Sequence, residues 1–170
     1  RLFMGYTLDT ARNRLVIFGG QRGDFISPSY NDLWALDLET REWTRLDVNF
    51  TRPSQRLRNI LRYDAERDRY LLFGGHTNIG DTNDVWAFNP EQGDWLELRQ
   101  GDVFNNVGIG CIGNESEVPA DYVDPDLTSP ERRSGGGFEI IGDTAWAVLG
   151  EQGECGDHLD DVWSLDLETH

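Results

Sequence analysis

Metal-ligating side chains are sparse in this sequence, and their spacing matches no common metal site. The three histidines are His76, His158 and His170, and the chain has neither a Cys-X2–4-Cys pair nor a His-X3–5-His pair. The densest acidic run, residues 157–161, carries oxygen ligands of the kind that hard cations prefer, but the chain contains no Asp-X-Asp-X-Asp-Gly loop. We therefore expect neither a metal site nor a cofactor.

Nucleophilic catalysis is not indicated either. It requires a Ser or Cys beside a base and an orienting group, and no Gly-X-Ser-X-Gly motif occurs. General acid–base catalysis stays open as an alternative, because the 31 acidic residues make any single carboxylate pair uninformative. We thus expect a non-catalytic protein.

The strongly negative net charge limits the kinds of molecule that the protein is expected to bind. The 31 acidic and 15 basic residues give a net charge of −16, so nucleic acids and anionic membrane surfaces are repelled at long range and are not expected as partners. No stretch approaches the roughly 20 apolar residues that a membrane helix needs, and we expect no membrane-spanning segment. Aromatic residues make up 11% of the 170, which is typical of a folded domain.

An internal repeat indicates which strands and loops the chain forms. An apolar run ends in Gly19-Gly20 and, 55 residues later, in Gly74-Gly75. Asn-Asp-Leu-Trp at 31–34, followed by a second Trp nine residues on, returns as Asn-Asp-Val-Trp at 83–86 and in part at 160–163. Each unit predicts four short antiparallel strands, the second ending at the glycines and the third containing the first Trp. The repeated residues are predicted to be scaffold: Gly19, Gly20, Asp32, Trp34, Trp43, Gly74, Gly75, Asp84, Trp86, Trp95, Asp161 and Trp163.

This pattern resembles the Kelch repeat. The resemblance implies an all-β fold, a partial Kelch-type β-propeller of three four-stranded antiparallel blades with the last blade incomplete. We place blade 1 at about 1–47, blade 2 at about 57–98, an insertion loop at 99–134 and blade 3 at about 135–170. The third unit has Val148-Leu149-Gly150-Glu151 in place of Phe-Gly-Gly. Because propellers typically have four to eight blades, we expect another subunit or a second propeller half to complete the ring.

The two cysteines fall in loops that a propeller places on one face. Cys111 lies in the insertion, and Cys155 lies in the connection between the second and third strands of blade 3. We predict a Cys111–Cys155 disulfide, with two unpaired thiols as the alternative. A disulfide would indicate an oxidising compartment, so we expect a periplasmic or secreted, extracytoplasmic protein.

Residues that interrupt the repeat are the candidate interaction residues. They are Arg22, Phe25, Ile26, Tyr30, His76, Asp81, Asp157 and His158. The alternative is that the apolar ones pack back onto the blade edge. We expect a protein-interaction or scaffold module, an accessory subunit or a fragment of a larger propeller protein. Two alternatives remain: a fragment of a propeller enzyme of the epimerase or oxidase type, and a carbohydrate-binding module.

Overall fold

The computed structural model describes residues 1–23, 28–47, 49, 51–102, 129–152 and 157–169, and in these residues it is all-β. Its eleven strands are β1 (Gly5–Asp9), β2 (Arg14–Phe18), β3 (Leu33–Asp37), β4 (Trp43–Arg45), β5 (Ile60–Asp64), β6 (Arg69–Thr77), β7 (Gly80–Asn89), β8 (Asp94–Arg99), β9 (Gly137–Ile141), β10 (Thr144–Gln152) and β11 (Asp157–Asp166).

Three antiparallel sheets confirm the predicted fold class. Blade 1 is β1-β2-β3-β4, blade 2 is β5-β6-β7-β8, and blade 3 is the three-stranded sheet β9-β10-β11. The two apolar runs that end in glycine pairs form the second strands of blades 1 and 2, and each pairs with the strand before it, with Tyr6 opposite Ile17 and Leu61 opposite Leu72. The equivalent pair in blade 3 is Phe138 and Ala147.

Short polar turns connect the strands because their side chains cap the exposed backbone amides. The Asp37 carboxylate accepts hydrogen bonds from the amides of Glu39 and Thr40, both at 2.8 Å, between β3 and β4. Asn89 and Asp166 cap the equivalent turns in the other two blades. The turn chemistry of the repeat is therefore preserved in all three blades.

Two hydrophobic cores lie between the blades, one on each side of blade 2. The first joins Val16, Phe18 and Leu33 of blade 1 to residues of blade 2 that include Tyr70 and Trp95. The second joins Leu71, Phe73 and Val85 of blade 2 to Phe138, Ala145, Ala147 and Leu167 of blade 3. Blade 2 is thus packed on both faces, whereas blades 1 and 3 each have one face without a neighbouring blade among the described residues.

The second strands of blades 2 and 3 are longer than the sequence predicted. They pass through the glycine position, and a register shift marks a bulge between Phe73 and Gly75 and between Val148 and Gly150. Beyond the bulge, His76 pairs with Asp81 and Glu151 with His158. Much of the predicted connection between the second and third strands is therefore a β-hairpin.

Candidate interaction surface

A buried ion pair organises the loop end of blade 2. The guanidinium of Arg56 donates to both oxygens of Asp84, at 2.5 and 2.8 Å, and the arginine side chain is only 1% exposed. The indole Nε1 of Trp86 donates to the same carboxylate at 2.8 Å, and Arg56 also donates to the carbonyl of Gly74 at 3.1 Å. We call this Arg–Asp–Trp cluster the clasp, because it ties the linker before a blade to the third strand of that blade.

The clasp recurs in the other two blades. In blade 3, Arg133 donates to both oxygens of Asp161 at 2.6 and 2.7 Å, and Trp163 donates to Asp161 at 2.7 Å. The hydrogen bond from Arg133 is the main reason why the pKa of Asp161 is lowered. In blade 1 the members are Arg1, Asp32 and Trp34. The structure therefore places the repeated Asp and Trp residues in one cluster, with an arginine that the sequence analysis did not single out.

Glycine at the bulge lets the linker of the following blade pass close by. A Cβ added to Gly19 would lie 2.6 Å from the carbonyl oxygen of Arg56, and one added to Gly74 would lie 2.8 Å from that of Arg133. Both glycines have a left-handed backbone, with φ of 64° and 58°. In blade 3 the same position is held by Leu149, with φ of 57° and 52% exposure. Close packing of a following linker thus requires glycine here.

The linkers also form a continuous backbone contact where the first strands of neighbouring blades meet. The amide of Arg58 donates to the carbonyl of Phe3 at 2.7 Å, and the amide of Gly135 donates to the carbonyl of Arg58 at 2.8 Å. All three residues have left-handed φ, of 58°, 54° and 66°. We call the surface made by Leu2, Phe3, Arg58, Gly135 and Glu151 the inner rim.

Side chains of the inner rim are both apolar and charged. Phe3 is 44% exposed, and the Arg58 guanidinium lies 5.3 Å from the centre of its ring. Arg58 also donates to Glu151 at 2.6 Å, and both of these charged side chains are close to half exposed. The inner rim therefore presents an aromatic ring and an arginine side by side, held by groups from all three blades.

The predicted interaction residues lie in several different environments. Arg22 and His158 are exposed, whereas Asp81 is 5% exposed and its Oδ1 lies 2.8 Å from Nδ1 of His76. The amide of Tyr30 donates to the Gly20 carbonyl, and its ring lies 4.3 Å from the Arg1 guanidinium. Phe25, Ile26, Cys111, Cys155 and the side chain of Asp157 lie outside the described residues, and so does the predicted disulfide.

A pocket of about 190 Å³ beside the clasp of blade 2 is lined by carboxylates, the side chains that acid–base chemistry would use. Its lining includes Asp84, Glu97 and Asp102. Burial, together with the nearby charge of Asp84, raises the pKa of Glu97, as is common for a general acid. However, Asp84 is held by the clasp and Asp102 accepts a hydrogen bond from Asn83, so both carboxylates have scaffold partners.

Neither a metal centre nor a spanning helix is found in the described part of the chain. No group of three His, Cys, Asp or Glu side chains is placed to hold a metal ion there. Over the same residues, no helix has the length and apolar character needed to cross a membrane.

Comparison with known proteins connects this architecture to a family. Residues 3–107 match the family model of the KLHDC2/KLHL20/DRC7 Kelch-repeats domain. The chain is similar to human Kelch domain-containing protein 10, with 35% identity over 98 residues that cover 55% of this chain and 21% of the relative. The Xenopus tropicalis protein of the same name is 27% identical over 166 residues, which cover 91% of this chain and 32% of the relative.

A third relative comes from a green alga. The chain is 32% identical to dynein regulatory complex subunit 7 of Chlamydomonas reinhardtii over 94 residues, which cover 55% of this chain and 8% of that protein. The chain thus spans only a small part of the length of the curated relatives it matches. Because the family model covers well over half of the chain and matches the first two blades, this chain belongs to the Kelch-repeat family.

Proposed function

We propose that this chain is a non-catalytic protein-interaction module of a larger assembly, and that the inner rim is its contact site. Kelch-repeat proteins generally act in protein interactions, and the similarity to Kelch domain-containing protein 10 supports this class of function. The observation that carries the proposal is the left-handed backbone of Phe3 and Arg58, whose side chains remain exposed.

Hydrogen bonds between the blades impose the left-handed backbone at these two positions, but they do not require a side chain there. A residue other than glycine in a sparsely populated backbone conformation costs about 1–3 kcal/mol, and such residues cluster at binding sites. Gly135 has the same conformation and the same hydrogen bond to the preceding blade, so glycine satisfies the backbone requirement. Phe3 and Arg58 therefore keep their side chains at a cost in stability, which favours a role in binding.

The chemistry of the inner rim suits a protein partner. Aromatic and arginine side chains are enriched among the residues that contribute most to protein–protein affinity. Because Arg58 and Glu151 are about half exposed, water screens their ion pair and a partner can compete for either group. We infer a partner segment with an apolar side chain for Phe3 and a hydrogen-bond acceptor for Arg58.

Glycine variants test the contact site with little risk to the fold. Phe3→Gly and Arg58→Gly remove the side chains and relieve the backbone strain, so both proteins are expected to fold. Arg41→Gly is the matched control, because Arg41 is exposed, has φ of 64° and lies in the turn between β3 and β4.

Partner capture from extracts of the source organism, quantified by mass spectrometry, is the measurement. The two rim variants are expected to capture at least about tenfold less of each partner than wild type does. A tenfold loss of affinity corresponds to about 1.4 kcal/mol of binding free energy. The control variant is expected to retain them. If the rim variants capture the same partners as Arg41→Gly, the inner rim is not the contact site.

We also propose an extracytoplasmic location, which rests on the predicted Cys111–Cys155 disulfide. Thiol alkylation of the denatured, unreduced protein, isolated from its native compartment, tests the disulfide. Absence of labelled thiols, with two labels after reduction, is the expected result. Two labels before reduction would remove the basis for this location.

A further inference from the structure

The pocket beside the clasp of blade 2 has a buried floor and an exposed rim. We call it the clasp pocket, and its volume is about 190 Å³. Thr82 and Asp84 in its floor are buried, whereas Ser54, Ile79 and Glu97 at its rim are exposed. These residues belong to the linker before blade 2, to the hairpin of β6 and β7, and to β8. The folded blade is therefore needed to form the pocket.

The size of the clasp pocket suits a single side chain. Pockets for drug-sized ligands have volumes of about 300–1,000 Å³, and the clasp pocket lies below this range. Ile79, which is 53% exposed, gives the rim an apolar edge. The methylene groups of a long polar side chain can lie against such an edge while its polar end enters the pocket.

One carboxylate of the clasp pocket lacks a partner. Asp84 is paired with Arg56 in the clasp, and Asp102 accepts a hydrogen bond from Asn83. Glu97 forms no hydrogen bond or ion pair with another described residue, and no basic side chain lines the pocket. Burial, followed by the charge of Asp84, raises the pKa of Glu97, although the charge of Arg56 acts in the opposite direction. The negative charge of Glu97 is thus poorly compensated.

We propose that the clasp pocket binds the guanidinium group of an arginine side chain from a protein partner. A guanidinium is always charged, is weakly hydrated and can donate to both oxygens of one carboxylate, so it supplies the counter-charge that Glu97 lacks. The net charge of −16 also attracts basic segments. The clasp pocket shares no residue with the inner rim, and the proposal goes beyond the contact inferred there.

An arginine derivative and its neutral counterpart test the site directly. The ¹⁵N-labelled 170-residue chain is titrated with Nα-acetyl-L-arginine amide and, as the matched control, with Nα-acetyl-L-citrulline amide, which has nearly the same shape but no charge. The titration is done in about 0.15 M salt, where the Debye length is about 8 Å and long-range attraction is screened. The arginine compound is expected to shift the amide resonances of Thr82, Glu97 and Gly101. It should bind at least about tenfold more tightly than the citrulline compound.

Two glutamine variants separate the clasp pocket from the general acidity of the surface. Glu97→Gln removes the charge and keeps the size of the side chain. Glu91→Gln makes the same change at an exposed glutamate in the turn between β7 and β8, outside the pocket lining. Glu97→Gln should bind the arginine compound at least about tenfold more weakly than wild type, and Glu91→Gln should bind it as wild type does.

An inner-rim variant makes this test independent of the contact site proposed above. Phe3→Gly should bind the arginine compound as wild type does, even if partner capture shows that the inner rim is not a contact site. Absence of binding, equal binding of the two compounds, or unchanged binding by Glu97→Gln would overturn the proposal. In the last case, attraction by the net charge alone would account for the shifts.

Discussion

The two interfaces of blade 2 are built from the same repeat but are stabilised differently. Towards blade 1, the buried carboxylate of Asp9 accepts hydrogen bonds from the hydroxyl of Tyr70, the side chain of Arg14 and the amide of Arg12. Towards blade 3, Ala145 stands where blade 2 has Tyr70, so no equivalent hydroxyl reaches the buried Asp64. Asp64 is instead held within its own blade by Arg69 at 3.0 Å.

The second interface contains a phenylalanine pair that has no counterpart in the first. Phe73 and Phe138 stack there with ring centres 5.1 Å apart and planes at 22°. The equivalents of these residues in the first interface are Phe18 and Leu61. Each interface also has contacts of the other kind, because the rings of Phe18 and Trp95 meet towards blade 1 and Arg67 pairs with Asp143 and Glu168 towards blade 3. The repeat therefore determines the geometry of a blade interface, while single positions decide which of its contacts are polar and which are aromatic.

The largest expected effect comes from the clasp arginines of the two linkers. Arg56→Ala leaves Asp84 nearly buried without its cation and should lower the free energy of unfolding by about 3–5 kcal/mol. Arg133→Ala should cost less, because the side chain of Asp161 is 30% exposed and can be hydrated. Urea unfolding measures both, and an equal or larger loss for Arg133→Ala would contradict the distinction.

Truncation of the aromatic contact should affect the blade 2–blade 3 interface selectively. Phe138→Ala removes a 3% exposed ring and should cost about 3–5 kcal/mol. Hydrogen exchange is expected to show lost protection in β9 to β11 and retained protection in β1 and β2. Ile141→Ala is the control in the same strand, and at 68% exposure it should change stability by less than about 0.5 kcal/mol. Equal loss of protection in blades 1 and 3 would argue against separable interfaces.

One of the polar contacts between blade 1 and blade 2 depends on the hydroxyl of Tyr70. Tyr70→Phe leaves the stacking of this ring on Phe88 in place but removes its hydrogen bond to Asp9. Because hydrogen bonds to buried charged groups contribute about 1.5–3 kcal/mol, we expect a loss of about 2 kcal/mol. Tyr6→Phe is the control, since Tyr6 is 63% exposed, and it should be nearly neutral. Similar values for the two variants would show that the Asp9 contact contributes little.

Acidification should weaken the same interface. Burial tends to raise the pKa of Asp9, but hydrogen bonds from Tyr70 and the Arg12 amide, with the charges of Arg14 and Arg12, bring it below its usual value. The hydrogen bond from Arg12 likewise lowers the pKa of Asp68, which links blade 2 to blade 1, from 3.8 to about 2. A lowered folded-state pKa stabilises the protein above the unfolded-state pKa, and this stability is lost as the pH falls through the lowered value.

Wild type should therefore lose stability between about pH 4 and pH 2, and Tyr70→Phe should lose less, because the pKa of Asp9 is lowered less without the hydroxyl. Urea unfolding across this range is the measurement. A steeper loss of stability with falling pH in Tyr70→Phe than in wild type would contradict this prediction.

The sequence predicted the blades well because a repeat of apolar strands, glycine pairs and tryptophans is a local pattern. It did not reveal the clasp arginines, because the linkers before the blades differ in length and their flanking residues differ. One signal was available: Pro-X-X-Arg ends at Arg56 and at Arg133, and each arginine lies 28 residues before its aspartate. The interval is constant because the chain from the arginine through the first two strands to the aspartate in the third strand has the same length in both blades, although the linkers differ in length before the arginine.

The inner rim could not be predicted from sequence for a different reason. Phe3, Arg58 and Gly135 are equivalent in space but share no residue type, so the sequence repeat does not reveal them. Their common property is a left-handed backbone that is imposed by hydrogen bonds between blades. Such a constraint exists only once the blades are packed together, and a single sequence does not display it.

The smallest effect concerns the glycine position at which blade 3 departs from blades 1 and 2. A left-handed conformation costs an L-residue about 1–2 kcal/mol, and glycine avoids this cost. About 0.5–1 kcal/mol of that gain is lost again, because glycine gives the unfolded chain more conformational freedom. Leu149→Gly should therefore raise the free energy of unfolding, measured by urea unfolding, by up to about 1 kcal/mol. Leu149→Ala keeps the strained backbone and should give no gain.

The reverse change in blade 1 should have the opposite sign. Gly19→Ala introduces the same strain and also places a Cβ 2.6 Å from the Arg56 carbonyl, so it should destabilise the protein by more than Leu149→Gly stabilises it. The linker that contacts Gly19 leaves no room for a Cβ at this position. A neutral Gly19→Ala variant would show that the linker moves easily and that glycine is not required at this blade interface.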